Sequence, residues 1–386
     1  MINSSIKDDI LKINVVPCTA FDRYFITLDV NATFNEDEVF EEYSKLYDLI
    51  TERNIIPVYE KVFGSEVLKD KLSLLRNARI KDFFPSTLIN YETVKGAPLS
   101  SVFIYGIKPY EVDKVKINRA ENKSIEIVSE KASQLYLLSI DGENQHLISN
   151  NPYSDVFLDL DFYLRNCGYS AKSIARTWFY MSNIDRKYCD FNDSRLDFFE
   201  KENISYGDQS NFLPSSTCIG APVLNKRGIL LDVYCLKSMD PSVFLKRIYN
   251  KNQNEANGVS YKFKPAFARG TLISTEKYNE VHISGTASIN EKGESVHLNN
   301  PYQQIITTLK NVYSILEQYQ MGFEHLVQST CFFKKSEYYS EFMKALEDLK
   351  INNFSFTYLI GDVCRDELLF ELDCIAVKNH NDEDRG

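Results

Sequence analysis

Several common chemistries are missing from this 386-residue chain. Its eight cysteines are scattered, with no C-x-x-C pair and no Cys/His cluster at ligand spacing. That argues against a zinc site or a disulfide framework, and no metal is expected. No apolar run approaches the roughly 18 residues of a membrane-spanning helix. The first residues, Met1-Ile2-Asn3-Ser4-Ser5-Ile6-Lys7-Asp8-Asp9, are polar and acidic and lack the apolar core of a secretion signal. Free thiols without such a signal point to the cytoplasm. Basic stripes are absent as well, and the formal net charge is −10. Nucleic acid and anionic membranes are therefore not expected as partners, and an anionic substrate would need a local cluster of arginine. G-x-S-x-G is absent, and none of the five histidines (His146, His282, His297, His325, His380) stands beside a nucleophile.

The chain has ample core material, 44% hydrophobic residues and 13% aromatic, with 25% charged. Its length suits two or three domain-sized units. One pattern recurs in fixed order: helix, strand, second helix, turn, final strand. The first copy runs over 38–53, 55–63 and 66–78, the turn Gly96-Ala97-Pro98, and the strand 101–107. The second runs over 156–167, 174–181 and 192–200, the turn Gly220-Ala221-Pro222, and 229–236, with opening strands at 124–129 and 134–140. The third runs over 304–318, 326–333, 337–349 and 368–377, with Gly361-Asp362-Val363 at the turn. Stretch 237–265 reads as a loop-rich bridge. The fold expected is α/β (α+β), with helices on one face of a mixed sheet in each unit. Expected bounds are 1–115, 116–245 and 246–380, with a flexible tail at 381–386.

Glu371 is the out-of-pattern acid of the last strand. Aligning the three final strands sets it opposite Val233 and Ile104, so only the third copy keeps an acid there. A half-buried carboxyl beside an arginine is a group whose pKa a fold can tune for proton transfer; the alternative is a structural ion pair. Arg365 and Arg269 are candidates for clamping a carboxylate bidentately, with Arg176 a third candidate. Ser284 and Thr286 suit supporting hydrogen bonds. His282 and His325 read as core or interface residues.

The runs that carry these residues, in order, are Arg176-Thr177-Trp178-Phe179-Tyr180, Phe191-Asn192-Asp193-Ser194-Arg195, Leu213-Pro214-Ser215-Ser216-Thr217-Cys218-Ile219-Gly220, Phe267-Ala268-Arg269-Gly270-Thr271, Ile283-Ser284-Gly285-Thr286-Ala287-Ser288-Ile289, the helix bearing Gln304 and Asn311, and Gly361-Asp362-Val363-Cys364-Arg365-Asp366-Glu367-Leu368-Leu369-Phe370-Glu371. In order and spacing they resemble the chorismatase family, a branch of the RidA-like superfamily, over roughly residues 150 to 377. The resemblance implies three RidA-like units closed into an intramolecular pseudo-trimer, in a monomer or a weak homo-oligomer. It implies cleavage of the enolpyruvyl ether of chorismate to pyruvate and an aromatic acid, without a cofactor, for secondary metabolism. Glu371 and Cys364 are then the catalytic candidates. Arg365, Arg269, Gly270, Arg176, Tyr261, Ser284 and Thr286 are the substrate-binding candidates. Gly270 and Cys364 match the 3-hydroxybenzoate-forming subtype. Two departures stand out. Asn250-Lys251-Asn252-Gln253 lacks the arginine of the family's Asn-Pro-Arg-Gln run. Phe356 occupies the place of the carboxylate-binding arginine of RidA imine deaminases, which disfavours imine deamination. The alternatives are a small-acid-binding protein on this scaffold, or a lyase or hydrolase acting on a related cyclic acid.

Overall fold

The computed structural model describes residues 10–380 apart from 31–33, 91–97, 121–122, 145–148, 150, 205–212, 254–265 and 353–355. The first unit contains β1 (Leu11–Pro17), β2 (Phe21–Asp29), α1 (Glu36–Glu52), β3 (Ile56–Gly64), α2 (Lys69–Arg79), β4 (Ser86–Asn90) and β5 (Leu99–Pro109). The second contains β6 (Lys116–Ala120), β7 (Ser124–Val128), β8 (Ala132–Ile140), α3 (Pro152–Asn166), β9 (Ile174–Met181), α4 (Ile184–Lys201), β10 (Ser215–Gly220) and β11 (Ile229–Ser238). The third contains β12 (Phe244–Ile248), β13 (Gly270–Ser274), β14 (Tyr278–Ala287), α5 (Pro301–Leu316), β15 (Leu326–Phe333), α6 (Tyr338–Asp348), β16 (Thr357–Ile360) and β17 (Phe370–Asn379).

Strand orders β1-β2-β5-β3-β4, β7-β8-β11-β9-β10 and β13-β14-β17-β15-β16 are the same, with β6 and β12 added at one edge of the second and third sheets. In each unit the last edge strand runs parallel to its neighbour. A parallel pair needs a crossover, and α2, α4 and α6 supply it. The fold is α+β, three RidA-like units in one chain, as the recurrence in the sequence predicts.

Helices cover one face of each sheet. On α5, Ile305, Leu309, Val312 and Ile315 are buried on one stripe, behind a Pro301 start capped by the Asn300 side chain. The opposite faces of the three sheets meet in one core that joins Tyr59 and Tyr105, Tyr136 and Tyr234, and Phe332 and Ile375. Within it, Arg23, Gln134 and Glu280 hold matching places, opposite Ile107, Leu236 and Val377. The Arg23 fork donates to both Glu280 oxygens at 2.6 and 2.9 Å, and His282 Nε2 lies 2.7 Å from Oε1. This bidentate pair ties the first unit to the third.

Three expectations need correction. α4 starts at Ile184, not near Asn192, because its first turns carry exposed Asp185, Arg186 and Lys187 and show no apolar stripe. β12 lies inside the stretch read as a bridge, and the boundary expected after residue 245 cuts through it. Glu371 pairs with Phe332 and Leu230 with Tyr180. Counting from the matching bulges places Leu230 and Ser101 at the Glu371 position, and Asp232 opposite Asp373. Pairing, not the onset of an apolar run, sets register. Gly96 and Ala97 lie outside the described residues.

Glu280→Gln leaves Arg23 buried without its anion, and urea denaturation should show a loss of about 3–5 kcal/mol. Burial would raise the pKa of Glu280, but Arg23 and His282 outweigh it and hold it at about 2. Its stabilisation is therefore present above the ordinary carboxylate pKa and is lost as pH falls from there toward 2. The gap between wild type and variant should close over that window.

Candidate functional site

The motif runs converge where the second sheet meets the third. Ser216 N–H donates to Ser284 Oγ at 2.9 Å and Gly285 N–H to Thr217 Oγ1 at 3.0 Å. Ala268 N–H donates to the Pro214 carbonyl at 3.0 Å, and Gly220 and Asp362 exchange backbone hydrogen bonds. The edge strand β10 is thereby sewn onto β14, the approach to β13 and the turn before β17. Ser284 Oγ also donates to the Ala268 carbonyl, and Thr286 Oγ1 to the Ser284 carbonyl. Both hydroxyls serve this seam.

Between Ile283 and Thr286 the register of β14 against β17 slips. Gly285 sits in that bulge, and a Cβ there would overlap the Glu371 carboxyl. Glu371 is 5% exposed. Among the described residues no group donates a hydrogen bond to its carboxyl. Burial pushes its pKa up, Asp373 adds to this, and Arg176 and Arg269 oppose it; the result is about 8. At neutral pH the group is a carboxylic acid, able to give a proton.

Two guanidiniums flank the same region. Arg269, 6% exposed, lies 5.2 Å from the Phe267 ring, and Arg195, 1% exposed, lies 5.4 Å from it. Arg195 donates to Ser216 Oγ at 3.2 Å and to Asn192 Oδ1 at 2.6 Å. Neither has a carboxylate partner among the described residues. Two buried cations without counter-ions make a place for an anion.

The other candidates are placed as follows. Arg176 donates to Thr217 Oγ1, and to Asp373 Oδ2 at 3.1 Å, so its charge is met inside the seam. Arg365 gives Nη1 to the Gly293 carbonyl at 2.8 Å and to Ser295 Oγ at 3.3 Å, on the hairpin after β14. The Cys364 thiol is pushed up to about 12 by burial and by Glu371. It is a thiol at any working pH, not a thiolate nucleophile. A methyl added at Gly270 would meet Ile248 and the His282 carbonyl, within the packing of the third unit. Tyr261 lies outside the described residues. Among the described residues no group of three or more potential metal ligands occurs, and no helix is long and apolar enough to cross a membrane.

Arg195, Thr217, Asp373 and Gly285 belong to this constellation without having been assigned a role from sequence. Asp373 could have been found, since it lies two residues from Glu371 on one strand and shares its face.

The endoribonuclease L-PSP family model matches residues 273–378, part of the third unit and less than half of the chain. No curated protein matches. A crystal structure of a chorismatase superposes with a TM-score of 0.61 at 15% identity, covering 93% of this chain and 100% of that one. The likeness is one of fold. A protein of the conserved Rid family from Yersinia pestis (21% identity, TM-score 0.28) covers 34% of this chain and 98% of its own. TdcF from E. coli (17% identity, TM-score 0.27) likewise covers 34% and 98%.

Glu371→Gln cannot ionise. The wild-type acid binds its proton more tightly folded than unfolded. Its stability is full below the ordinary carboxylate pKa and falls as pH rises from there to about 8. Melting curves should show the variant gaining on wild type across that window. Gly285→Ala should displace the carboxyl and cost activity even where the melting temperature is kept.

Proposed function

We propose that this chain cleaves the enolpyruvyl ether of chorismate, releasing pyruvate and an aromatic acid. A buried neutral carboxyl, Glu371, with Arg269 near it and Arg195 sharing the Phe267 ring with Arg269, both guanidiniums without a carboxylate partner among the described residues, is the observation that carries the reading; the chorismatase-like fold supports it. Chorismate is a dianion with an acid-labile vinyl ether. Arg269 and Arg195 suit its two carboxylates and would fix its orientation, which removes entropy from the barrier. Glu371 then delivers its proton to the vinyl methylene, leaving an oxocarbenium-like carbon next to the ether oxygen. The bond between the ring carbon and the ether oxygen then breaks as the neighbouring ring hydroxyl closes onto that carbon; the ether oxygen leaves as the keto oxygen of pyruvate, and the proton released on rearomatisation returns to the Glu371 carboxylate. Arg176 pairs with Asp373 on the Glu371 strand, and Arg365 holds the hairpin after β14.

The finer reading is that the aromatic product is 3-hydroxybenzoate. Pyruvate and 3-hydroxybenzoate together account for every atom of chorismate, so no water is consumed. Cys364, a neutral and weakly polar wall beside Glu371, disfavours an ordered water and leaves the substrate's own ring hydroxyl as the internal nucleophile. Gly270 contributes less to this, since its free face meets Ile248. A second reading, a small-acid-binding protein without turnover, is favoured by the lysine and asparagines at 250–253 in place of the family arginine.

Purified protein given chorismate without added metal should release pyruvate. Glu371→Gln should lose roughly 10²–10⁴-fold in rate, and the wild-type rate should fall as pH rises through about 8. A rate that climbs through that pH removes Glu371 as the acid, and binding without pyruvate favours the second reading. Chromatography of the acids tests the subtype: Cys364→Gln should shift the product toward a dihydroxy-diene acid, and wild type making only that acid would overturn the assignment.

A further inference from the structure

We propose that the first unit, which holds no catalytic acid, sets the protonation of Glu371 through a buried row of two ion pairs that meet at the Trp178 ring. The proposal rests on reading Glu371 as the acid. The row starts at Asp232 of β11. Lys61, on β3 of the first unit, places Nζ 3.2 Å from Asp232 Oδ2 and 3.7 Å from the centre of the Trp178 ring. The Arg176 guanidinium lies 4.9 Å from the same ring, and its Nη2 reaches Asp373 Oδ2 at 3.1 Å. Asp373 shares a strand face with Glu371, two residues away. The four charged side chains are between 1% and 4% exposed, so salt and water screen them poorly.

Repetition in the fold argues that this row is more than a local suture. Thr87 Oγ1 donates to Asp232 at 2.7 Å as Thr217 Oγ1 donates to Asp373 at 2.9 Å. The first seam thus keeps the threonine–aspartate pair although Leu230 stands where Glu371 would be. Burying ion pairs is seldom a net gain in stability, so their retention calls for another use. With Glu371 neutral, the two acids and two bases cancel. Ionising Glu371 would leave the row one negative charge in excess.

The groups facing Glu371 are Asp373 on its own strand, Arg176 from β9, Arg269 before β13, and the thiols of Cys218 on β10 and Cys364 in the turn before β17. Lys61 acts only through the row, so it is a positioning residue, and the signs of its effects are fixed. Asp373→Asn removes a negative charge and should lower the Glu371 pKa by about one unit or more. Lys61→Met removes a positive charge and should raise it by less. Lys61→Met with Asp232→Asn removes one of each and should restore the wild-type value.

The readout is a carbon-13 NMR titration of the Glu371 carboxyl in ligand-free protein, assigned by its loss in Glu371→Gln, beside the alkaline limb of pyruvate release. Opposite shifts for the two single variants and recovery in the double variant support the proposal. Shifts of one sign, or none, overturn it, because a purely structural role changes melting temperature without ordering the midpoints. If Asp373→Asn fails to fold, Lys61→Met and the double variant decide. Midpoints that move as expected in a protein that releases no pyruvate would count against the chorismate reading alone.

Discussion

The structure turns on a carboxyl group placed where no described residue donates to it. Glu371 has no hydrogen-bond donor among the described residues, little water, and an aspartate two residues away on the same strand. The neutral form is the cheaper one in such a place. That placement needs the β14 bulge, because only a residue without a side chain at Gly285 leaves the volume free. The bulge is in turn pinned by the Thr217 hydroxyl of the neighbouring unit. The acid therefore belongs to the seam and not to one sheet.

The same seam occurs between the first and second units, where it has taken another form. Lys123, which matches Arg269 in the strand frame, pairs with Asp141 at 2.9 Å, and Arg76 pairs with the buried Glu60 at 3.1 Å. Leu230 replaces the acid. A cavity of about 350 Å³ remains there, lined by Glu60, Arg76, Ser86, Ser139 and Asp141 among others. Its cations are already neutralised and it has no proton donor matching Glu371. Among the described residues the unpaired guanidiniums Arg269 and Arg195 stand at the second seam, which fits a single proposed site in a chain with three related units.

How much of this could be read from sequence depends on the physical origin of each feature. β9 and β15 match their expected spans to the residue, because runs rich in β-branched and aromatic residues bounded by turns mark strands. Glu371 was legible as an acid in an apolar strand. Its partners were less so. Arg195 lies in one of the motif runs and inside the helix expected over 192–200, but its place beside Phe267 is a contact between distant parts of the chain. The roles of Arg176 and Arg365 depend on Asp373 and the Gly293 carbonyl, contacts that join distant parts of the chain. The strand alignment missed by three residues because cross-strand bulges, invisible in one strand, fix the frame.

The central claim is that the seam between the second and third units holds a dianionic cyclic acid with its vinyl carbon against residue 371. A crystal structure of Glu371→Gln soaked with chorismate tests it most directly. The account predicts the two carboxylates on Arg269 and Arg195 and the methylene carbon facing the residue 371 side chain. Ligand density in the cavity of the first seam, or a pose with the carboxylates turned away from both arginines, would contradict it.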